Sequence, residues 1–101
     1  MKVIYHPEVE QIIRTLTKEH ESRIIKVVDL FEEYKFSLTQ VYLKKIVKGI
    51  WELRAGRYRL LFGMVSKEAI AVSIFMKKTQ KTPKQVINVA IRRLKEYEKQ
   101  K

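Results

Sequence analysis

Arg54, Arg57 and Arg59 lie close together, and Lys77, Lys78, Lys81 and Lys84 follow beyond a mostly apolar run. A guanidinium offers a planar fork matched to phosphate oxygens, and an ammonium acts as a compact point charge. Between residues 51 and 95 only Glu52 and Glu68 oppose these cations, and both histidines (His6, His20) lie outside that stretch. In extended backbone alternate side chains point to opposite faces. That parity assigns Glu52, Arg54, Arg57, Arg59, Leu61, Ser73, Phe75 and Lys77 to one sheet face. Such a face does not satisfy its own charge and suits phosphates. Lys78, Lys81 and Lys84 extend it toward the start of the last helix, whose free N–H groups also attract anions. The competing assignment is an arginine ladder neutralised by Glu52 and the carboxylates of the first helices. For Arg54 alone, pairing with Glu52 competes directly with a ligand role.

The overall charge agrees with a polyanionic partner. The chain has 101 residues, with 22 Lys+Arg against 11 Asp+Glu, a net charge of +11. Residues 1–50 carry nine Lys/Arg and seven Asp/Glu, and residues 51–101 carry thirteen and four. An even solvated coat would not divide in this way. Nucleic acid, an anionic membrane surface and an acidic protein all qualify. The absence of cysteine excludes disulfide scaffolds, thiolate zinc sites and cysteine nucleophiles. The length suits one domain, residues 1–101. No secretory h-region or membrane-spanning apolar run is present, so a cytoplasmic protein is expected, with no membrane association.

The elements that must position these cations follow from periodicity. Lys2–Tyr5 reads as a short strand ended by His6-Pro7. Pro7 suits a first helical position, with Glu8 and Glu10 in the first turn. Val9, Ile12, Ile13 and Leu16 repeat with helical period. Thr17 can cap a second helix carrying Ile24, Val28 and Phe31, and the two are expected to pack as a hairpin. Residues 35–49 read as a transition with one short helical turn. The period then becomes two: Ile50–Arg54, Arg57–Met64 and Ala69–Lys77 are three predicted strands, the first pair joined by a tight turn at Ala55-Gly56. Thr82 is the expected N-cap of the last helix, with Pro83 at its first position and Gln85 completing a capping box.

The order β-α-α-β-β-β-α implies an α+β fold of two layers, with helices covering one face of an antiparallel sheet. Trp51, Leu53, Tyr58, Leu60, Phe62, Ile70, Val72, Ile74 and Met76 belong to the covered face. The opposite, basic face is expected to be partly open. Trp51 is assigned to the core, and Phe75 is the better candidate for base stacking. Tyr58 is core by parity, although a bulge near Gly56 would turn its hydroxyl to the site. His6 and His20 read as a helix-start residue and a solvated residue. Lys44, Lys45 and Lys48 add diffuse attraction.

Trp51-Glu52-Leu53-Arg54, Arg57-Tyr58-Arg59 and the run Phe75-Met76-Lys77-Lys78-Thr79-Gln80-Lys81-Thr82-Pro83 together resemble the HigB-like, phage-derived branch of the RelE/ParE toxin superfamily. The pattern continues through Ile87, Ala90 and Arg93-Leu94-Lys95-Glu96-Tyr97. One departure is the short hairpin tip Arg54-Ala55-Gly56-Arg57. The resemblance implies a RelE-like fold and the toxin of a type II toxin–antitoxin pair. It also implies an endoribonuclease that cuts mRNA, usually on the ribosome, and a cognate antitoxin commonly bearing a helix-turn-helix DNA-binding domain.

The residues restrict how such an enzyme would work. Two-metal catalysis needs several carboxylates that residues 51–95 do not supply, and a histidine pair is hard to assemble. No metal and no small-molecule cofactor is expected. What remains is attack by the RNA's own 2′-OH on the adjacent phosphate, with the protein aligning the groups and stabilising phosphoryl charge. Arg54, Arg59 and Lys77 would clamp the scissile phosphate, and Lys78 that phosphate or its neighbour. Glu52, or a lysine crowded among like charges, would take the proton. Arg57, Lys81, Lys84 and Phe75 would bind RNA. Two other functions fit the same residues: a ParE-like inhibitor of DNA gyrase without nuclease activity, and an RNA- or ribosome-binding module.

Overall fold

Five strands in the order β1-β5-β4-β3-β2 form the central sheet of the computed structural model, which describes residues 1–78 and 81–100. In chain order the elements are β1 (Val3–Tyr5), α1 (Pro7–Thr15), α2 (Lys18–Tyr34), a 3-10 turn (Lys35–Ser37), β2 (Leu43–Val47), β3 (Ile50–Ala55), β4 (Tyr58–Val65), β5 (Glu68–Met76) and α3 (Lys84–Lys99). Strands β2 to β5 are antiparallel neighbours, whereas β1 pairs with β5 in parallel. The sheet is therefore mixed, and the expectation of a purely antiparallel one is corrected at β1.

The starts of the first two helices follow the expected chemistry. Pro7 opens α1, and His6 caps it by accepting the Glu8 N–H at Nδ1, 3.1 Å away. Thr17 caps α2 by accepting the His20 N–H at 3.4 Å. A two-residue connection joins the helices, yet each packs mainly on the sheet, α1 against β5 and α2 against β3, rather than along its neighbour as a hairpin would. His20 is half-buried, its ring edge-on to Tyr58 at 5.2 Å, and so is not the solvated residue expected. Tyr58 itself is buried in the core between the first helices and the sheet, as parity implies.

A second correction concerns the layers. Val9, Ile13, Ile24, Val28 and Phe31 pack with Leu53, Leu60 and Phe62 on one side of the sheet. Ile50, Leu61, Val65, Ile70 and Val72 pack with Ala90 and Leu94 of α3 on the other. The molecule thus has three layers, with helices on both faces. The cause lies in β5, where Leu61 pairs with Ser73 but Phe62 pairs with Ala71, leaving Val72 as an inserted residue. Such a bulge reverses the parity of the strand. Ala69 and Ala71 consequently face the first helices, and Ile70 and Val72 face α3, not the side shared with Ile74. Two apolar faces demand two covers. Arg93 of α3 reinforces the bulge: its Nη1 donates to the Val72 carbonyl at 2.9 Å, while Nη2 pairs with Glu8.

Strand β2 lies inside the segment read as a transition, and the expected helical turn precedes it. Its consecutive lysines and a register shift between Lys45 and Val47 break the alternation that would mark a strand. It is also an edge strand, where charged side chains are common. Gly49, at φ +82°, turns the chain back into β3. Among the described residues, no helix is long and apolar enough to cross a membrane.

Candidate functional site

The β3–β4 hairpin sets the first part of the site. Ala55 pairs with Tyr58, so Gly56 and Arg57 alone form the turn, and Gly56 takes the left-handed backbone (φ +63°) that such a turn requires. The register places Arg54 opposite Arg59, and Arg59 in turn opposite Phe75. Glu52 and Arg54 share the α3-facing side of β3.

Glu52 is completely buried. Its Oε1 accepts from Arg54 Nε at 3.1 Å and lies 3.6 Å from Arg59 Nε. Its Oε2 accepts the Thr82 hydroxyl at 2.9 Å. This last bond corrects the expected cap of α3: Pro83 takes the N-cap position and no side chain caps the helix. The hydroxyl is engaged by the buried carboxylate, whose need for a donor exceeds that of a solvent-accessible helix N-terminus.

Arg59 is mostly enclosed, and its Nη1 donates to the carbonyls of Gly56 at 2.7 Å and Tyr58 at 3.0 Å. Its Nε is buried without a hydrogen bond, so the 3.6 Å approach to Glu52 is purely electrostatic. Burial draws this guanidinium below its ordinary pKa; Glu52 opposes that shift and Arg54 adds to it. The side chain clasps the hairpin and the carboxylate.

A cleft of about 250 Å³ opens above Glu52 between the edge of the sheet and the approach to α3. Its lining includes Lys44, Lys45, Glu52, Arg54, Lys77, Lys81 and Thr82, with Ile46 and Ile87. Lys77 is fixed at the end of β5 by its backbone N–H, which donates to the Arg57 carbonyl at 2.8 Å. Of the residues singled out in the sequence, Glu52, Arg54, Lys77 and Lys81 meet here. Arg59 sits behind the lining. Arg57 is exposed at the hairpin tip, and Lys78 and Lys84 are exposed outside the cleft. Phe75 is half-buried against the α3-side core. Thr79 and Gln80 of the motif lie outside the described residues.

Lys44 and Lys45 are the lining residues that sequence reasoning treated as diffuse. Strand β2 supplies them by pairing Lys44 with Glu52 and Lys45 with Trp51. The available signal was the Lys-Lys pair just before Gly49, where a hairpin return would place it beside β3. Helix α3 covers much of the face expected to be open, but it begins only at Lys84 and leaves the cleft accessible. Among the described residues, no group of three or more His, Asp or Glu side chains is placed to hold a metal ion.

Architecture and cleft define a small basic α+β protein with cations from two strands and from the segment after β5 gathered over one buried carboxylate. The lining therefore carries five cationic side chains against one carboxylate. The chain belongs to the phage-derived Gp49-like protein family (DUF891), whose model matches residues 11–95, from within α1 almost to the end of α3. This family is of the RelE/HigB toxin type. No curated protein matches the chain.

Proposed function

We propose that this protein is the toxin of a toxin–antitoxin pair and a metal-independent endoribonuclease that cleaves mRNA on the ribosome. Family membership supports the toxin reading. One observation carries the chemistry: Arg54, Lys77, Lys81, Lys44 and Lys45 line a single cleft whose floor is the one carboxylate Glu52. A phosphodiester there meets cations from several directions, which suits the charge that grows on phosphoryl oxygens during transfer. Arg54, held by Glu52, and Lys77, held by the hairpin, are the phosphate ligands, while Arg59 positions Glu52.

Glu52 is closed to solvent in the free protein, so bound substrate must displace the Thr82 hydroxyl before its own 2′-hydroxyl can take that place on Glu52 Oε2. Its proton passes to the carboxylate, O2′ bonds to phosphorus and the P–O5′ bond breaks. A lysine ammonium of the cleft protonates the leaving oxygen. The products are a 2′,3′-cyclic phosphate and a 5′-hydroxyl end. The cognate antitoxin would cover this surface or deform it.

Purified protein added to a translating extract tests the reading. Message cut to fragments with cyclic phosphate ends is the expected result. Intact message with blocked gyrase supercoiling would replace it by the inhibitor reading. Intact message with protein retained on ribosomes would leave a binding module.

A further inference from the structure

On the other side of the β2–β3 edge lies a second recess, of about 520 Å³, walled by Phe36 and Trp51 and rimmed by Lys44, Lys45 and Arg54. The two aromatic rings meet at 4.9 Å and 60°, and Phe36 remains 42% exposed although it stands beside a well-packed core. Lys45 Nζ lies 5.9 Å from the centre of the Trp51 ring, a contact that is weak at an exposed site and leaves the ammonium available to an anion. Lys44, Lys45 and Arg54 also line the basic cleft, so three cations are common to both recesses.

An apolar aromatic corner bordered by cations fits a ligand that carries π faces and negative charge at short intervals. Single-stranded nucleic acid has that alternation, and bases stack on aromatic side chains regardless of sequence. We propose that this recess is a nucleobase subsite. One base stacks on Phe36 beside Trp51, while the phosphates flanking it rest on Lys44, Lys45 and Arg54. A nucleotide strand would thereby cross the end of β2, with its scissile phosphate on one side and a neighbouring base on the other. This inference rests on the RNA-directed reading of the basic cleft.

Trp51 is the single tryptophan of the chain, so its fluorescence reports on the recess directly. The probe is a short 2′-O-methyl oligonucleotide, which cannot be cut, compared with an abasic oligomer of equal length. Saturable quenching by the first and not by the second is expected. Phe36→Leu, which keeps apolar bulk and removes the ring, should weaken binding roughly 5- to 150-fold, the range of one lost stack. Equal quenching by the abasic oligomer, or unchanged affinity in F36L, would overturn the subsite. An acidic peptide that quenches as strongly as the base-bearing probe would overturn it in favour of a protein-binding surface. Quenching in a protein that leaves message intact keeps the subsite and rejects the nuclease; cleavage without quenching rejects the subsite alone.

Discussion

The hydroxyl of Thr82 and the carboxylate of Glu52, thirty positions apart in sequence, meet at 2.9 Å just ahead of α3. The bond joins the loop that follows β5 to the middle of β3 and leaves Glu52 with a donor on each oxygen. Since the Glu52 side chain is only 1% exposed, no bulk water can replace a donor that is removed. Thr82→Val preserves shape and deletes the donor. It should cost about 1–3 kcal/mol, the penalty of an orphaned buried acceptor. In a domain of this size each kcal/mol lowers the melting midpoint by roughly 4–8 °C. Thr82→Ser should restore most of the loss, and urea titration of the three proteins measures both effects.

Arg59 and Lys77 should separate folding from chemistry. Arg59 shares the buried carboxylate and holds two hairpin carbonyls, with its side chain 15% exposed. Arg59→Ala leaves a buried charge short of a partner and should destabilise by about 3–5 kcal/mol. Lys77 enters the fold through its backbone, so Lys77→Ala should stay within about 0.5 kcal/mol of the parent stability. Its cleavage rate should nevertheless fall about 100- to 1000-fold, as for one lost phosphate-stabilising group. Full-rate cleavage by K77A in a translating extract would remove Lys77 from the reaction.

Gly63 permits the close seating of α3. A Cβ there would run into Leu94 and stand 2.8 Å from the Gly49 carbonyl oxygen, which is backbone and cannot swing aside. Gly63→Ala should therefore cost about 1–3 kcal/mol by overpacking. The loss should appear first as faster amide exchange in α3, because Leu94 is its contact at this point. Exchange unaltered in α3 but raised throughout α2 would contradict that assignment.

The pieces of the molecule that follow from local chemistry were legible in the sequence. Pro7 and Thr17 mark helix starts, Gly56 marks a tight turn, and the parity of β3 and β4 places Glu52, Arg54 and Arg59 together and Tyr58 on the opposite side. Long-range choices were not. The bulge at Val72 adds one residue to β5 and moves Ile70 and Val72 to the face covered by α3, and neither residue type announces it. Lys44 and Lys45 interrupt the pattern of β2 because an edge strand can carry charge outward. Thr82 looks like a cap until Glu52, buried by the fold itself, competes for its hydroxyl. The cations of the cleft could thus be named in part, while the strand that supplies two of them could not.

Acidification should loosen the opposite end of the protein. Burial holds the His6 imidazole below its ordinary pKa; Arg93 acts in the same direction, and Glu8 and Glu96 oppose it. The neutral ring also accepts the Glu8 N–H at Nδ1, a bond that protonation removes. The unfolded chain takes up this proton near pH 6.5, before the folded one does. Stability from His6 is therefore complete above about pH 6.5 and is lost as the pH falls through the lower folded value. His6→Asn keeps a capping oxygen and does not titrate in this range. The parent's unfolding midpoint should drop more than that of H6N on going from about pH 7.5 to about pH 5.5. Because His6 donates its backbone N–H to Ala71 and sets its ring against Tyr97 of α3, the weakening should centre on α1, β1 and the end of α3. Amide exchange near Glu52 and Arg54 should not follow the His6 titration, and a matching change there would show that the two ends of the sheet are coupled.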